Sequence, residues 1–269
     1  MTSQLSRPLA AIFGIALAIT AVPTGSGLLQ SSRGVAKAPT GLTPEQEEIL
    51  GHLSIVQLPD GKGGTVKTLR VEGINLQIVN GLGATNGDPT GSFDGVGAIT
   101  NGLGNLIVGY NELDPDEANE RTGSHNIVVG VENDFTAFGG LVGARGNRID
   151  GAFTSVFGGS ANTASGLSSS VFGGYFNSAN GAFSAVVGGQ DNTAGGDFSS
   201  VAGGRSNSAD GVHTSVTGGA SNTATAPTSS VTGGAFNSAN GVSSSVSGGF
   251  AGSIGEDFGW LAGDLIQNG

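Results

Sequence analysis

The acidic residues of one insertion are the first candidates for chemistry in this sequence. Four carboxylates lie close together there, at Asp114, Asp116, Glu117 and Glu120. Carboxylate oxygens are ligands that calcium prefers. Their spacing does not match the calcium loop of an EF-hand, and the glycine-aspartate nonapeptide of calcium-binding β-rolls is absent. We therefore favour a solvated acidic loop and keep a calcium site as the alternative.

Catalytic chemistry has little support elsewhere in the chain. Enzymes that cleave polysaccharides use paired carboxylates, and Asp197 and Asp210 are the pair that a coiled chain could place at one corner. The three histidines, His52, His125 and His213, lie in different segments without metal-ligand spacing, and no Gly-x-Ser-x-Gly elbow occurs. We expect no catalytic residue, cofactor or metal, and a polysaccharide-degrading enzyme is the less favoured alternative.

The composition argues against several kinds of partner. Glycine occupies 51 of 269 positions, and a helix-rich core is unfavourable because each helical glycine costs roughly 1 kcal/mol relative to alanine. The formal net charge of −11 argues against nucleic acid and anionic membrane surfaces as partners. With no cysteine, the chain can form neither a disulfide nor a thiolate metal site.

The N-terminal segment has the pattern of an export signal. Arg7 precedes an apolar run from Leu9 to Val22, and small, turn-forming residues follow it. The run is shorter than the roughly 20 residues that span a bilayer. We expect cleavage after this signal, a mature chain without a membrane span, and a location outside the cell or on its surface.

A short helix and two strands are predicted next. Thr43 has the properties of an N-cap, and Gln46 completes the spacing of a capping box. The helix is expected to end near Leu53, and a strand to run from Val66 to Val79 around a bulge at Gly73. Three helical turns are not stable alone. The helix must therefore pack on the chain's own first strands or on a partner's copy of the same helix.

The rest of the chain is organised by a 15-residue repeat. Its apolar column contains Leu141, Val156, Val171, Val186, Val201, Val216, Val231, Val246 and Leu261. A fixed period of this kind predicts stacked coils that bury their apolar faces against one another. The predicted segments are a signal peptide (1–24), a linker (25–42), a helix and strand cap with a glycine-rich loop (43–101), irregular first coils with the acidic insertion (102–140) and the strict repeat (141–269).

The alternation of side chains within a coil predicts which residues face inward. Small residues of the type Ser169, Val171, Asn177 and Ala179 form one parity, which we assign to the interior. The opposite parity carries an apolar set, which we predict to be a subunit interface: Phe153, Phe157, Phe172, Phe183, Val187, Phe198 and Phe258. The other outward sheet carries a ladder of hydroxyls suited to water or a polar ligand: Thr163, Ser178, Thr193, Ser208, Thr223, Ser238 and Ser253.

The spacing Ser-x-Val-x-Gly…Asn-x-Ala-x-Gly in residues 154–243 resembles the head repeats of trimeric autotransporter adhesins of the YadA type. This resemblance implies a left-handed parallel β-roll, a homotrimer, and heads that bind host or matrix surfaces. A doubled glycine and an asparagine in place of the second serine depart from that family's consensus. The phrases Leu42–Leu53, Val79–Gly83 and Thr122–Asn126 also resemble a group of exported bacterial repeat proteins of unassigned function.

Together these patterns predict an all-β protein, a β-solenoid of 15-residue coils with a short N-terminal helix. The expected function is that of a non-catalytic structural or adhesive surface module. Its expected partners are further copies of itself, as a homotrimer or a higher assembly, and an extracellular glycan or matrix surface. An ice-binding or glycan-binding solenoid is the alternative, because a row of hydroxyls can order water or contact a sugar.

Overall fold

The computed structural model describes residues 41–91, 93–95, 97–115, 118–263 and 265–267. The predicted signal peptide and residues 25–40 of the linker lie outside these ranges. The chain divides into two compact units, Met1–Gln77 and Ile78–Gly269. Across the described ranges, no helix is both long enough and apolar enough to cross a membrane.

The first unit begins with helix α1, Pro44–Gly51. The capping box is confirmed, because the backbone N–H of Gln46 donates to Thr43 Oγ1 at 3.3 Å and the N–H of Thr43 donates to Gln46 Oε1 at 2.9 Å. The helix ends two residues before the predicted position at Leu53. His52 is its C-cap, and the chain then passes directly into a strand.

An antiparallel hairpin completes the first unit. Strands β1 (Leu53–Pro59) and β2 (Thr65–Val71) pair so that Leu53 lies opposite Val71. The prediction that the second strand continues to Val79 is wrong. Beyond Val71 the chain leaves the sheet, and Gly73 takes a left-handed backbone with φ of +79° instead of forming a bulge within a strand.

The second unit is a parallel β-solenoid with two sheets, which confirms the predicted fold class. Only the last strand of the larger sheet runs antiparallel to its neighbour. The 12-stranded sheet contains β3 (Leu106–Val108), β4 (Ile127–Val131), β6 (Leu141–Arg145), β8 (Ser155–Val156), β10 (Ser170–Val171), β12 (Ala185–Val186), β14 (Ser200–Val201), β16 (Ser215–Val216), β18 (Ser230–Val231), β20 (Ser245–Val246), β22 (Trp260–Ala262) and β23 (Leu265–Gln267). The nine-stranded sheet contains β5 (Asp134–Phe135), β7 (Arg148–Ile149), β9 (Thr163–Ala164), β11 (Ser178–Ala179), β13 (Thr193–Ala194), β15 (Ser208–Ala209), β17 (Thr223–Ala224), β19 (Ser238–Ala239) and β21 (Ser253–Ile254).

In the middle coils the core is a column of small side chains, as predicted, whereas larger side chains such as Phe135 and Leu261 are buried at its two ends. Val171 and Ala179 are fully buried, and Ser169 and Asn177 face the same interior. One member of the predicted column is wrong, however. Val142 pairs with Val156 and is buried, whereas Leu141 pairs with Ser155 on the outer side. The corner that follows Val142 is one residue shorter than the later corners, so the strict 15-residue spacing begins one coil later than predicted.

A continuous ladder of buried asparagines joins the coils. Asn192 is typical: its Oδ1 accepts from the N–H of Asn207 at 3.0 Å, and its Nδ2 donates to the carbonyls of Gly188 at 2.9 Å and Gly204 at 3.0 Å. Buried polar groups require such partners. The ladder therefore satisfies backbone groups at each corner that the two-residue strands leave unpaired.

Glycine supplies only some of the corners that have positive φ. Gly189 has φ of +89°, and a Cβ there would collide with the carbonyl oxygen of Gly204. Other corners use ordinary residues, such as Asp191 and Phe198 with φ of +59° and +56°. Those values fall in the left-handed helical region that a Cβ can occupy, whereas +89° lies beyond it.

Candidate interaction surface

Two outward columns on the 12-stranded sheet contain no charged residue, and we call this surface the apolar face; Arg145, at the end of β6, lies beside it and pairs with Glu132 at 2.7 Å. Each coil contributes two outward positions, one on either side of the buried strand residue, because alternate side chains point to opposite sides of a sheet. The first column is Leu106, Ile127, Leu141, Ser155, Ser170, Ala185, Ser200, Ser215, Ser230, Ser245 and Trp260. The second is Val108, Val129, Gly143, Phe157, Phe172, Val187, Ala202, Thr217, Thr232, Ser247 and Ala262.

Aromatic side chains dominate the middle of the apolar face. The rings of Phe157 and Phe172 stack with centroids 5.2 Å apart and planes 16° apart. They remain 52% and 54% exposed, and Val187 on the next coil is 55% exposed. These three predicted interface residues are therefore brought together on one surface. Stacking along the solenoid covers only one side of each ring, so most of their apolar area still faces outward.

The apolar face extends further toward the N-terminus than the predicted interface, which begins at Phe153. Leu106 and Val108 on β3, and Ile127 and Val129 on β4, are all exposed on the same surface. The sequence does contain evidence for these residues, because both strands resemble the Val-x-Gly pattern of the later coils. Applying the same alternation of inward and outward side chains to those phrases would have identified all four residues.

The other predicted aromatic residues lie at a corner instead of on a strand. Phe153, Phe183, Phe198 and Phe258 each occupy a turn two residues before the strand and have φ between 56° and 59°. Phe183 stacks on Phe198 at 5.1 Å, and Phe198 stacks on His213 at 4.8 Å. These residues form a separate ladder beside the apolar face, because the turn rotates their side chains away from the strand alternation.

The predicted hydroxyl ladder lies on the outer side of the nine-stranded sheet. Several of its hydroxyl groups bond within the molecule. Thr223 Oγ1 and Ser238 Oγ are 2.9 Å apart, and Ser208 Oγ donates to Asp210 Oδ1 at 2.7 Å. Such contacts use part of the hydrogen-bonding capacity that an ice or glycan ligand would need.

Most described residues of the acidic insertion are exposed, and Glu120 ties the insertion to the first coils. Glu120 forms an ion pair with Arg148, and the same guanidinium also contacts Asp134 and Asp150. Hydrogen bonding to Asp150 is the main reason why the pKa of Arg148 lies above its usual value. Burial raises the pKa of Asp134, and the nearby arginine opposes that effect.

The four calcium candidates are not assembled into a site in the part of the chain that the structure describes. Asp116 and Glu117 lie outside the described residues, and Glu120 is engaged by Arg148. The backbone of Asp114 is held in a local turn by the side chain of Asn119 at 2.8 Å. Within the described ranges, no group of three or more His, Cys, Asp or Glu residues could hold a metal ion.

Of the two aspartates considered for catalysis, Asp197 joins two coils, and Asp210 bonds within its own coil. Asp197 Oδ1 accepts from the backbone N–H of Ala182, one coil earlier, at 2.8 Å. Asp257 makes the same contact with the N–H of Val242. Asp210 accepts from Ser208. These bonds give the carboxylates a structural role at the corners.

Comparison with known proteins leaves this surface as the main guide to function. No protein-family model matches the chain, and a search of curated proteins finds no similar sequence. The function must therefore be inferred from the chemistry of the chain's own surfaces.

Proposed function

We propose that this chain is an exported, non-catalytic surface module that self-associates through the apolar face. One observation carries the proposal: two adjoining outward columns without a charged residue, with Phe157 and Phe172 exposed among them, in a chain of net charge −11. Surface patches of this kind mark sites of association. Depletion of charge together with enrichment in aromatic residues is typical of the centre of a protein interface.

The size of the apolar face fits a subunit interface. Its two columns provide roughly 20 outward residues, similar to the 20 to 30 residues per side of a standard interface. At about 4.8 Å between strands, the part from β3 to β14 extends roughly 29 Å. In a trimer the same two columns of three copies can face a common three-fold axis, where uncharged surfaces meet without burying an unpaired charge.

A homotrimer is the assembly that we favour. This choice rests on the resemblance of the repeat to the heads of trimeric autotransporter adhesins, in which three rolls pack side by side. With the apolar face covered, the hydroxyl ladder would be the surface left for an extracellular glycan or matrix partner. The proposed location, outside the cell or on its surface, rests on the apolar run from Leu9 to Val22.

A matched pair of charge substitutions tests the proposal. Phe172→Asp places a carboxylate at the centre of the apolar face, and Thr193→Asp places the same group on the opposite sheet. Burying an unpaired charge costs several kcal/mol, and a penalty of about 3 kcal/mol weakens association roughly a hundredfold. Light scattering over a dilution series should show the concentration below which each variant dissociates. This concentration should be much higher for the Phe172→Asp variant than for the Thr193→Asp variant. Equal dissociation of the two variants would refute the proposed interface.

A further inference from the structure

The described part of the first unit, from Gly41 onward, has no buried core. No residue from Gly41 to Val79 is buried, although this stretch contains α1, β1 and β2. Large apolar side chains are exposed on both the helix and the hairpin; Ile49 is 57% exposed and Leu69 is 61% exposed. Because a lone two-stranded hairpin is marginally stable at best in water, this unit requires a further surface to pack against.

One face of the hairpin is arranged to receive such a surface. Residues directly opposite each other in an antiparallel pair share a face. The pairs Leu53–Val71 and Ile55–Leu69 therefore form a contiguous apolar quartet. None of the four side chains is buried, and Ile55, Val71 and Leu69 are exposed.

The charges of the unit fit a second copy of itself. The helix carries three exposed glutamates, Glu45, Glu47 and Glu48. The hairpin carries two exposed bases, Lys62 in its turn and Lys67 on the face of the quartet. In the described part of the chain, every ion pair joins two residues within the range 120–150, so none involves these five residues. Both signs of charge are thus available on one small unit. A copy of the unit can meet each sign with its opposite, as a symmetric contact between identical surfaces requires.

We infer that the helix–hairpin unit, residues 43–71, is a second self-association site, which is completed by the same unit of another copy. The quartet packs against the partner's quartet, and the acidic helix of one copy meets the basic hairpin of the other. This site shares no residue with the apolar face. Each site can therefore be disrupted without the other, by Leu69→Asp here and by Phe172→Asp on the apolar face. The unit would order fully only in the assembled protein.

Hydrogen exchange measured on the full chain tests the inference directly. If association protects the hairpin amides, mass action makes the unassociated fraction fall as the inverse square root of concentration in a tight dimer. Exchange of the β1 and β2 amides should therefore slow about tenfold over a hundredfold rise in concentration. Leu69→Asp should abolish this dependence, while the coils from Ser155 to Leu261 keep their protection.

Two controls separate the outcomes. Ser54→Asp adds the same charge to a polar position of the hairpin and should retain the concentration dependence. In a Phe172→Asp chain, whose apolar face is disabled, the hairpin amides should still respond to concentration, and loss of that response would overturn the inference. Hairpin protection that is equal at all concentrations would also overturn it, because the covering surface would then belong to the same chain. Failure of the proposed apolar interface would appear separately, in the dissociation of Phe172→Asp itself.

Discussion

The asparagine ladder offers a sharp test of how the coils are held together. Replacing Asn192 by alanine removes an acceptor from the N–H of Asn207 and a donor from the carbonyls of Gly188 and Gly204. The carbonyl of Gly204 keeps one partner, the N–H of Gln190 at 2.9 Å. Asn207 is buried, so its N–H has no access to water in place of the lost oxygen.

The expected cost follows from these three contacts. A buried donor without a partner costs about 1 to 3 kcal/mol, and each further lost hydrogen bond costs about 1 kcal/mol net. We therefore expect Asn192→Ala to lower the free energy of unfolding by roughly 4 kcal/mol. Thr193→Ala, one residue along on the outer side of the sheet, should change it by less than about 1 kcal/mol.

Urea unfolding, combined with hydrogen exchange of individual coils, measures this effect. Because solenoid stability is a sum over neighbouring coils, the loss of protection should be greatest in the coils of Asn192 and Asn207. If Asn192→Ala unfolds within about 0.5 kcal/mol of the parent chain, the ladder is not what holds the corners.

Two further substitutions test the corners and the ion cluster by urea unfolding. Gly188→Ala should leave the free energy of unfolding unchanged or slightly raised, because its Cβ would meet open space. Gly189→Ala should lower it by at least about 2 kcal/mol through backbone strain and collision. Equal effects of the two substitutions would contradict this. Burial raises the pKa of Asp134, so its contribution to stability is lost as pH rises above about 4. Asp134→Asn should therefore gain stability relative to the parent between pH 4 and pH 7, and a constant difference would refute the assignment.

Much of the architecture could be predicted because the repeat fixes both period and parity. Val171 and Asn177 were assigned to the interior from their spacing alone, and the capping box from Thr43 and Gln46. The misplacement of Leu141 has a simple cause. A corner one residue shorter changes which residue faces inward, and a column read at a fixed period cannot detect that change.

The surface was harder to predict than the core. Phe183 lies in a turn with a left-handed backbone, and phenylalanine is not a residue type that predicts such a turn. Strand alternation therefore predicts a position on the sheet surface, which is wrong. The contact between Glu120 and Arg148 joins residues far apart in sequence, and only the fold brings them together. The sequence does predict that the short helix containing Ile49 requires a packing surface, either the chain's first strands or a partner's copy of the helix.

The mass of the purified chain in solution tests the central claim most directly. Multi-angle light scattering at micromolar concentration should give a whole-number multiple of the chain mass: three copies for the apolar-face trimer alone, and six where helix–hairpin units also pair two trimers. Dilution should reduce that mass. On dilution, the Phe172→Asp variant should lose mass at a higher concentration than the Thr193→Asp variant. A single chain mass at every concentration would contradict self-association through the apolar face.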